Sequence, residues 1–270
     1  MACNAGFVGA IPEHYEARLG PLFFHFYADD MARRLDVPVE GRVLETACGT
    51  GIVTERIRAG TRPSVEIVAT DVSEPMLDFA RSTRGDLPNV RFETADACLL
   101  PYDDDSFDAV VSQFGLMFMP DKLAALEQAR RVLRPGGTHV FSVWDSFDAN
   151  PVARVAHETV CRFFDDAPPT FLPVPFRDHE PEPLKRLLVD AGFDEIRLEF
   201  VPHVVERPSA RDVARGLVEG NPTIHHVRER ATACADVVID AVAEALADAF
   251  GDAPLRTELQ AIVLSGRVPA

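Results

Sequence analysis

The sequence predicts an α/β fold built on a doubly wound, mostly parallel sheet. β-type runs alternate with helical stretches through the first half of the chain, as parallel strands joined by crossover helices require. In addition, the apolar pair Val43-Leu44 leads through Glu45 into a turn that carries Gly49 and Gly51, and a helical stretch follows at once. A strand, a glycine turn and a helix in this order are typical of α/β proteins that bind a nucleotide-sized ligand.

The helices and strands of this half are predicted from the spacing of apolar residues and from residues that typically begin or end a helix. Ser73 and Pro75 open the second helix and Asp121 opens the third, whose apolar face includes Leu126 and Leu133. The predicted strands are 42–46, 66–70, 91–94, 107–112 and 138–144, and the first helix is 52–59.

The rest of the chain flanks this core. Phe24, Tyr27 and Met31 recur at helical spacing and predict an amphipathic helix that packs on the sheet. Beyond Trp144 we predict helices over 183–191, 208–220 and 231–250, and strands over 196–205 and 259–265. A compact crossover needs only about a dozen residues, so the excess chain is expected to fold over the carboxyl ends of the strands and to select the substrate.

These predictions divide the chain into four parts. Residues 1–36 form an N-terminal helical lid, and 37–145 form the ligand-binding core. The insertions 146–180 and 206–252, which follow strands five and six, form a helical cap. Residues 181–205 and 253–270 complete the core.

Composition excludes several classes of function. The chain has 270 residues, and 27 basic against 43 acidic residues give a net charge of −16. An acidic surface opposes binding to phosphate backbones and anionic lipids, so nucleic acid is not an expected partner. No apolar run reaches the length of about 18 residues that a spanning helix needs, and the start of the chain lacks the plan of a signal peptide. We therefore expect a cytoplasmic protein without membrane insertion, either a monomer or a homodimer.

The five cysteines predict neither a disulfide framework nor a metal site. Cys3, Cys48, Cys98, Cys161 and Cys234 are scattered without C-x-x-C spacing. We interpret them as reduced thiols. Because no metal-ligand spacing of histidines or carboxylates is evident either, we expect no metal.

The glycine turn indicates a ligand other than a dinucleotide. A dinucleotide fingerprint has a third glycine, but Thr54 stands at that position, and Glu45 precedes the turn. A carboxylate there would repel a pyrophosphate and favour a cationic ligand. A nicotinamide-dependent oxidoreductase is the alternative, because a glycine loop also occurs in that class.

Two motifs resemble one known family. The run 43–51 is similar to the acidic-x-x-x-Gly-x-Gly motif of the class I S-adenosylmethionine-dependent methyltransferases. Leu133-Arg134-Pro135-Gly136-Gly137 resembles their ubiquinone/menaquinone-biosynthesis-like branch, of the methyltransferase domain 11/25 type. The similarity spans roughly 39–143, with Ala47 where many members have glycine. It implies S-adenosyl-L-methionine as cofactor, S-adenosyl-L-homocysteine as product, and a seven-stranded sheet with an antiparallel seventh strand paired at one edge.

The resemblance also implies a set of cofactor contacts. In this family the position of Asp71 binds the ribose hydroxyls, and Asp96 with Ala97 binds the adenine. A helix cap and a surface turn are the ordinary alternatives for the two aspartates. The full predicted cofactor site is Tyr15, Glu45, Ala47, Gly49, Gly51, Asp71, Val72, Met76, Asp96, Ala97, Gln113 and Phe114.

The fourth strand ends at Gln113, which we expect on the methyl-transfer face. His14 is a candidate general base, although a lone histidine is more often structural. Phe118, Trp144 and Phe171 are candidate contacts to an apolar or aromatic acceptor, and packing within the protein is their alternative role.

Four functions are open at this point. The first is methyl transfer to a small-molecule acceptor by in-line displacement, in which alignment supplies much of the rate. A second is a non-methylating reaction, namely a rearrangement, elimination or decarboxylation, in the same cofactor site. A noncatalytic regulatory subunit and a nicotinamide-dependent oxidoreductase complete the set.

Overall fold

A seven-stranded sheet forms the centre of the computed structural model, which describes residues 6–269. The strand order is β3-β2-β1-β4-β5-β7-β6. The strands are β1 Arg42–Thr46, β2 Glu66–Asp71, β3 Val90–Thr94, β4 Phe107–Gln113, β5 Leu133–Trp144, β6 Asp194–Arg207 and β7 Leu255–Arg267. β1 to β5 pair in parallel, and β7 runs antiparallel to both β5 and β6. The predicted doubly wound, mostly parallel fold is confirmed.

Ten α-helices flank the sheet within the described part of the chain. They are α1 Ile11–His14, α2 His25–Arg33, α3 Ile52–Gly60, α4 Glu74–Arg84, α5 Lys122–Val132, α6 Pro151–Cys161, α7 Pro181–Asp190, α8 Ala210–Glu219, α9 Thr223–Arg230 and α10 Ala235–Phe250. As predicted, Asp121 opens α5, where its carboxylate accepts a hydrogen bond from Ala124 N at 2.9 Å.

The position of the last strand corrects the expectation that it pairs at one edge. β7 lies between β5 and β6, and β6 forms the edge. The side chains of 259–264 are mostly buried, whereas most of β6 is at least partly exposed. The more apolar strand therefore takes the inner position. Pro202, which has no N–H to donate, lies in the edge strand, where an unpaired side tolerates it.

Two helix boundaries also differ from prediction. Leu133 begins β5 rather than ending α5, because Pro135 follows two residues later and a helix cannot continue through it. The predicted helix over 231–250 starts at Ala235, and a separate helix, α9, precedes it. Asn221 Oδ1 accepts a hydrogen bond from Thr223 N at 3.0 Å and so opens α9.

The amino end forms a nearly continuous helical stretch. A π-helix, Tyr15–Phe24, joins α1 to α2 and contains Pro21, which cannot donate to the usual i−4 carbonyl. Tyr27 and Met31 of α2 are almost fully buried, as the apolar period predicts. We call residues 6–24 the N-terminal strap, since five of them line the cavity described below.

Candidate cofactor and acceptor site

A large cavity opens at the carboxyl ends of β1, β2 and β4. It encloses about 1350 Å³ of space, its open mouth included. Thirteen of the predicted site residues line it: Tyr15, Ala47, Gly49, Asp71, Val72, Met76, Asp96, Ala97, Gln113, Phe114, Phe118, Trp144 and Phe171.

Three predicted residues lie elsewhere. Glu45 lines a smaller recess of about 290 Å³ behind the glycine turn. Gly51 is absent from the lining of both spaces. His14 lies outside the cavity wall, and its Nδ1 is 3.8 Å from a carboxylate oxygen of Glu219. His14 itself does not line the cavity although its neighbour Tyr15 does, and its predicted general-base role stays a prediction.

The glycine turn has an unusual backbone. Ala47, Gly49 and Gly51 have φ values of +56°, +57° and +88°. This left-handed region costs about 1–2 kcal/mol for a residue with a Cβ. The turn thus accepts strain at Ala47, and it is held by a hydrogen bond from Cys48 N to Thr70 O at 2.9 Å.

The methyl group of Ala47 has a counterpart on the neighbouring strand end. A Cβ on Gly115 would lie 2.6 Å from Ala47 Cβ and 2.8 Å from Ser112 Oγ. Real Cβ atoms do not approach so closely, and hence residue 115 must be glycine while residue 47 is alanine. The preceding residue, Phe114, also has a positive φ of +53°.

Asp71 links the ends of β1 and β2. Its Oδ2 accepts a hydrogen bond from Gly49 N and its Oδ1 accepts one from Ser73 N, each at 2.8 Å. Burial raises the pKa of this carboxyl, and the backbone donors, Ser73 first, oppose the increase. Each carboxylate oxygen keeps a second lone pair for a ligand hydroxyl.

Glu45 is almost fully buried, and its Oε2 accepts a hydrogen bond from Thr54 Oγ1 at 2.6 Å. Burial raises the pKa of Glu45 to about 8, with Thr54 lowering it and Asp71 raising it further. The group is therefore largely neutral at pH 7 in the free protein. Thr54, which replaces the third glycine of a dinucleotide fingerprint, has the local role of holding this carboxyl.

The smaller recess contains polar atoms without partners. Thr50 Oγ1 and Gln113 Oε1 are buried and accept no hydrogen bond from the described residues. Tyr15, Glu45, Thr50 and Gln113 all line this space. Unpaired buried polar groups are costly, and a ligand with an ammonium and a carboxylate would satisfy them. The donor set therefore fits the amino-acid end of S-adenosylmethionine.

Asp96 lies on the other side of the large cavity. Its Oδ1 accepts a hydrogen bond from Cys98 N at 2.8 Å, and its carbonyl accepts one from Leu99 N at 2.9 Å. This tight turn presents Asp96 and Ala97 to the cavity. A purine with a donor amine fits this edge.

The remainder of the wall is aromatic and aliphatic. Phe114 and Trp144 stack with ring centroids 3.9 Å apart and planes 5° from parallel, and Tyr27 packs edge-on against Trp144. Phe118 and Phe171 stack at 5.8 Å and are more exposed than Trp144. All three rings line the cavity, and their contact with an acceptor stays a prediction.

The electrostatic character of the wall is one-sided. Among the described lining residues, Asp71 and Asp96 are the carboxylates, and none is lysine, arginine or histidine. The cavity can therefore accommodate a cation but offers no basic side chain to an anionic group.

Sequence reasoning missed several lining residues. Phe7, Phe23 and Asn221 contribute to the wall, but they come from distant segments that carry no recognised motif. Met117 also lines it and is the direct neighbour of the predicted Phe118. Of the cap phenylalanines, Phe171 and Phe176 line the cavity, while Phe163 and Phe164 do not.

Two further features concern metals and membranes. Within residues 6–269, no three histidine, cysteine, aspartate or glutamate side chains are grouped as metal ligands would be. Over the same residues, no helix combines the length and apolar character that crossing a bilayer requires. Cys48, Cys98, Cys161 and Cys234 are free thiols, and Cys3 lies outside the described residues.

Comparison with known proteins places this geometry in a family. The sequence profile described as "Methyltransferase domain" matches residues 43–137. Demethylmenaquinone methyltransferase from Staphylococcus aureus is 31% identical over 171 residues, which cover 58% of this chain and 69% of that enzyme.

Solved structures share the fold. Phosphoethanolamine N-methyltransferase 2 from Haemonchus contortus, in complex with phosphomonomethylethanolamine and S-adenosylhomocysteine, has a TM-score of 0.61 at 15% identity. That alignment covers 96% of this chain and 57% of the other. The [4+2]-cyclase SpnF has a TM-score of 0.56 at 22% identity, with coverage of 92% and 82%.

These comparisons confirm the fold class and the cofactor that the motifs imply. The cofactor is S-adenosyl-L-methionine, and the cavity, its carboxylates and the polar recess fit that molecule. The chain belongs to the class I S-adenosylmethionine-dependent methyltransferases, in the ubiquinone/menaquinone-biosynthesis-like branch.

Proposed function

We propose that the chain methylates a small, apolar or aromatic acceptor that carries no phosphate or carboxylate near the reacting atom. The observation that carries the proposal is the acceptor side of the cavity, which is formed by Phe23, Met117, Phe118, Phe171 and Phe176. An anionic group buried there would have no counter-charge among the described lining residues, and burial of an unpaired charge is costly. A quinol-like or polyketide-like ring meets both requirements.

Each polar residue then has a defined role toward the cofactor. Asp71 accepts hydrogen bonds from the ribose hydroxyls, and Asp96 with Ala97 binds the adenine edge. Gly49 and Gly51 permit the backbone turn. Tyr15, Glu45, Thr50 and Gln113 surround the amino-acid end. Val72 and Met76 pack beside the nucleoside.

The bound cofactor supplies a methyl group on a positively charged sulfur. The residues of this chain orient the acceptor and exclude water, because the stacked pair Phe114 and Trp144 closes one side of the cavity and the N-terminal strap crosses another. Gln113 lines both spaces and offers an amide oxygen that has no partner among the described residues. It can accept a hydrogen bond but cannot remove a proton, so its proposed role is orientation.

The acceptor must therefore provide its own nucleophilic form. No histidine, lysine or glutamate is among the described residues that line the large cavity, and burial raises the pKa of the Tyr15 phenol far above neutral. A phenol or enol that ionises near neutral pH, or a neutral amine, fits a site in which alignment supplies the rate.

The principal alternative is a non-methylating reaction in the same site, which the fold of SpnF permits. The relative with 31% identity is a methyltransferase, whereas the cyclase shares the fold at 22% identity. Methyl transfer is therefore the better supported reaction.

Mass spectrometry of products tests the proposal. Quinols and hydroxylated aromatic rings should gain one methyl group each, with one S-adenosylhomocysteine formed per turnover. Carboxylated analogues of the same rings provide the matched control and should react poorly. Turnover without consumption of the cofactor would contradict the proposal, as would a preference for the carboxylated analogues.

A further inference from the structure

Arg84, at the end of α4, connects three separate parts of the molecule. Its Nη2 donates to Glu16 Oε1 in the N-terminal strap at 2.6 Å, and its Nη1 donates to the carbonyl oxygen of Thr50 in the glycine turn at 3.0 Å. Its Nε donates to Glu55 Oε2 in α3 at 3.1 Å. The side chain of Arg84 is only 10% exposed, so these contacts are shielded from solvent.

The hydrocarbon stem of Arg84 explains the glycine at position 51. A Cβ on Gly51 would lie 3.0 Å from Arg84 Cδ and 3.3 Å from the Phe92 ring. Gly51 does not line the cavity, and its φ of +88° favours glycine independently. The second motif glycine therefore leaves room for Arg84 as well as shaping the turn.

The contact with Glu16 reaches the cofactor site through Tyr15. Tyr15 precedes Glu16, stacks on Phe24 with ring centroids 4.6 Å apart, and lines both the large cavity and the recess. Holding Glu16 against the core thus holds the Tyr15 ring over the site.

Other ion pairs of the strap attach it to a different part of the fold. Arg18 pairs with Asp212, and His14 Nδ1 lies 3.8 Å from Glu219 Oε2; both acidic partners belong to α8 in the cap. Among the ion pairs of residues 6–24, the pair of Glu16 with Arg84 is the one that joins the strap to the glycine turn and α4. The strap therefore contacts two parts of the fold, α8 on one side and Arg84 of α4 on the side of the cofactor site.

We propose that Arg84 is a positioning residue that couples closure of the N-terminal strap to the geometry of the glycine turn, and so retains the bound cofactor. One planar guanidinium bonds Glu16 and Thr50 simultaneously, which a lysine cannot reproduce because its ammonium is a compact point charge. Opening the strap would break the bond between Glu16 and Arg84, and the same guanidinium also bonds the carbonyl oxygen of Thr50 in the glycine turn. The proposal rests on S-adenosylmethionine occupying the cavity.

Three variants test the coupling: Arg84→Lys, Glu16→Gln and the double variant. Arg131→Lys is the matched control, because Arg131 also lies near the end of a helix and bonds the carbonyls of Leu100 and Tyr102, but its hydrogen bonds reach neither the N-terminal strap nor the glycine turn. The probe is S-adenosylhomocysteine. Its dissociation is followed by the fluorescence of Trp144, the sole tryptophan of the chain, which lies in the cavity wall.

Each single variant should accelerate dissociation about tenfold, since it weakens the charge-assisted hydrogen bond between Glu16 and Arg84. Arg84→Lys should be the more affected, because it also disturbs the bonds to Thr50 and Glu55. The double variant should dissociate no faster than the more affected single variant, because both changes break the same link. Trypsin cleavage after Arg18 in the presence of S-adenosylhomocysteine should accelerate in parallel. Arg131→Lys should change neither rate, even where it lowers the melting temperature as much as Arg84→Lys.

Two results would overturn the proposal, and a third concerns the cofactor site itself. Unchanged dissociation in Arg84→Lys would exclude the coupling and leave the cofactor site intact. Additive effects in the double variant would show that Glu16 and Arg84 act separately. Failure of the unmodified protein to bind S-adenosylhomocysteine would instead contradict the function proposed above.

Discussion

The backbone N–H of Gly49 donates to Asp71 Oδ2 at 2.8 Å. This bond joins the turn after β1 to the end of β2, and it holds the carboxylate before any ligand arrives. Ser73 N fixes the other oxygen. The residue that we assign to the ribose is thus oriented by the glycine turn, and the two motifs form one site.

The first prediction concerns the contact between Ala47 and Gly115. Gly115→Ala should destabilise the protein by about 1–3 kcal/mol, the usual cost of overpacking, because its Cβ would lie 2.6 Å from Ala47 Cβ. In the Gly115→Ala background, Ala47→Gly should remove the contact with residue 47 but not the one with Ser112 Oγ at 2.8 Å, and it should also relieve the left-handed strain at residue 47. Urea denaturation of the two single variants and the double variant measures the coupling. If the two effects simply add, the contact does not account for the cost.

A second prediction concerns proton release from Glu45. With a pKa of about 8, this carboxyl is largely protonated at pH 7 in the free protein. A cationic ligand favours the carboxylate and lowers its pKa, so binding should expel a proton, and affinity for S-adenosylmethionine should increase as pH rises from about 6 to 8. Calorimetry in buffers of different ionisation enthalpy counts the protons released. Glu45→Gln is the control, because it removes the contribution of Glu45 and leaves only the ligand's own proton exchange. Equal proton release in both proteins would contradict the assignment.

The third prediction separates acceptor binding from cofactor binding. Phe118→Ala and Phe171→Ala should each raise the KM for an aromatic acceptor about tenfold, through loss of buried ring surface, while affinity for S-adenosylhomocysteine stays unchanged. Phe163→Ala is the matched control, because Phe163 lies in the same cap segment but does not line the cavity. If all three variants affect KM equally, the change reflects disturbance of the cap and not lost contact.

The motif-bearing half of the chain was predictable from sequence because its residues act locally. Asp71 follows a strand directly, and Asp121 caps a helix with its own side chain. Each of these residues is placed by the strand or helix to which it is attached, so its sequence position indicates its contacts. Gly51 shows the limit of local prediction. It belongs to the motif, but the side chains that would contact a Cβ at this position, Arg84 and Phe92, come from other elements.

The features that sequence reasoning missed depend on distant packing. Arg84 is an ordinary basic residue at a helix end until the fold brings Glu16 and Thr50 beside it. β7 lies between β5 and β6 because its run 261–264 is continuously apolar, whereas charged residues recur along β6; this comparison between two strands cannot be made from the local period of either one. His14 is not among the lining residues, and its position beside Glu219 of α8 depends on a contact between distant parts of the chain that the local sequence does not reveal.

The most direct test is calorimetric titration of S-adenosylhomocysteine into the unmodified protein, Asp71→Ala and the surface control Asp104→Ala. We expect one molecule bound per chain, with affinity about tenfold to a hundredfold weaker in Asp71→Ala through loss of charge-assisted hydrogen bonds, and unchanged in Asp104→Ala. Undiminished binding to Asp71→Ala, or no binding to the unmodified protein, would contradict a cofactor site built on the glycine turn and Asp71.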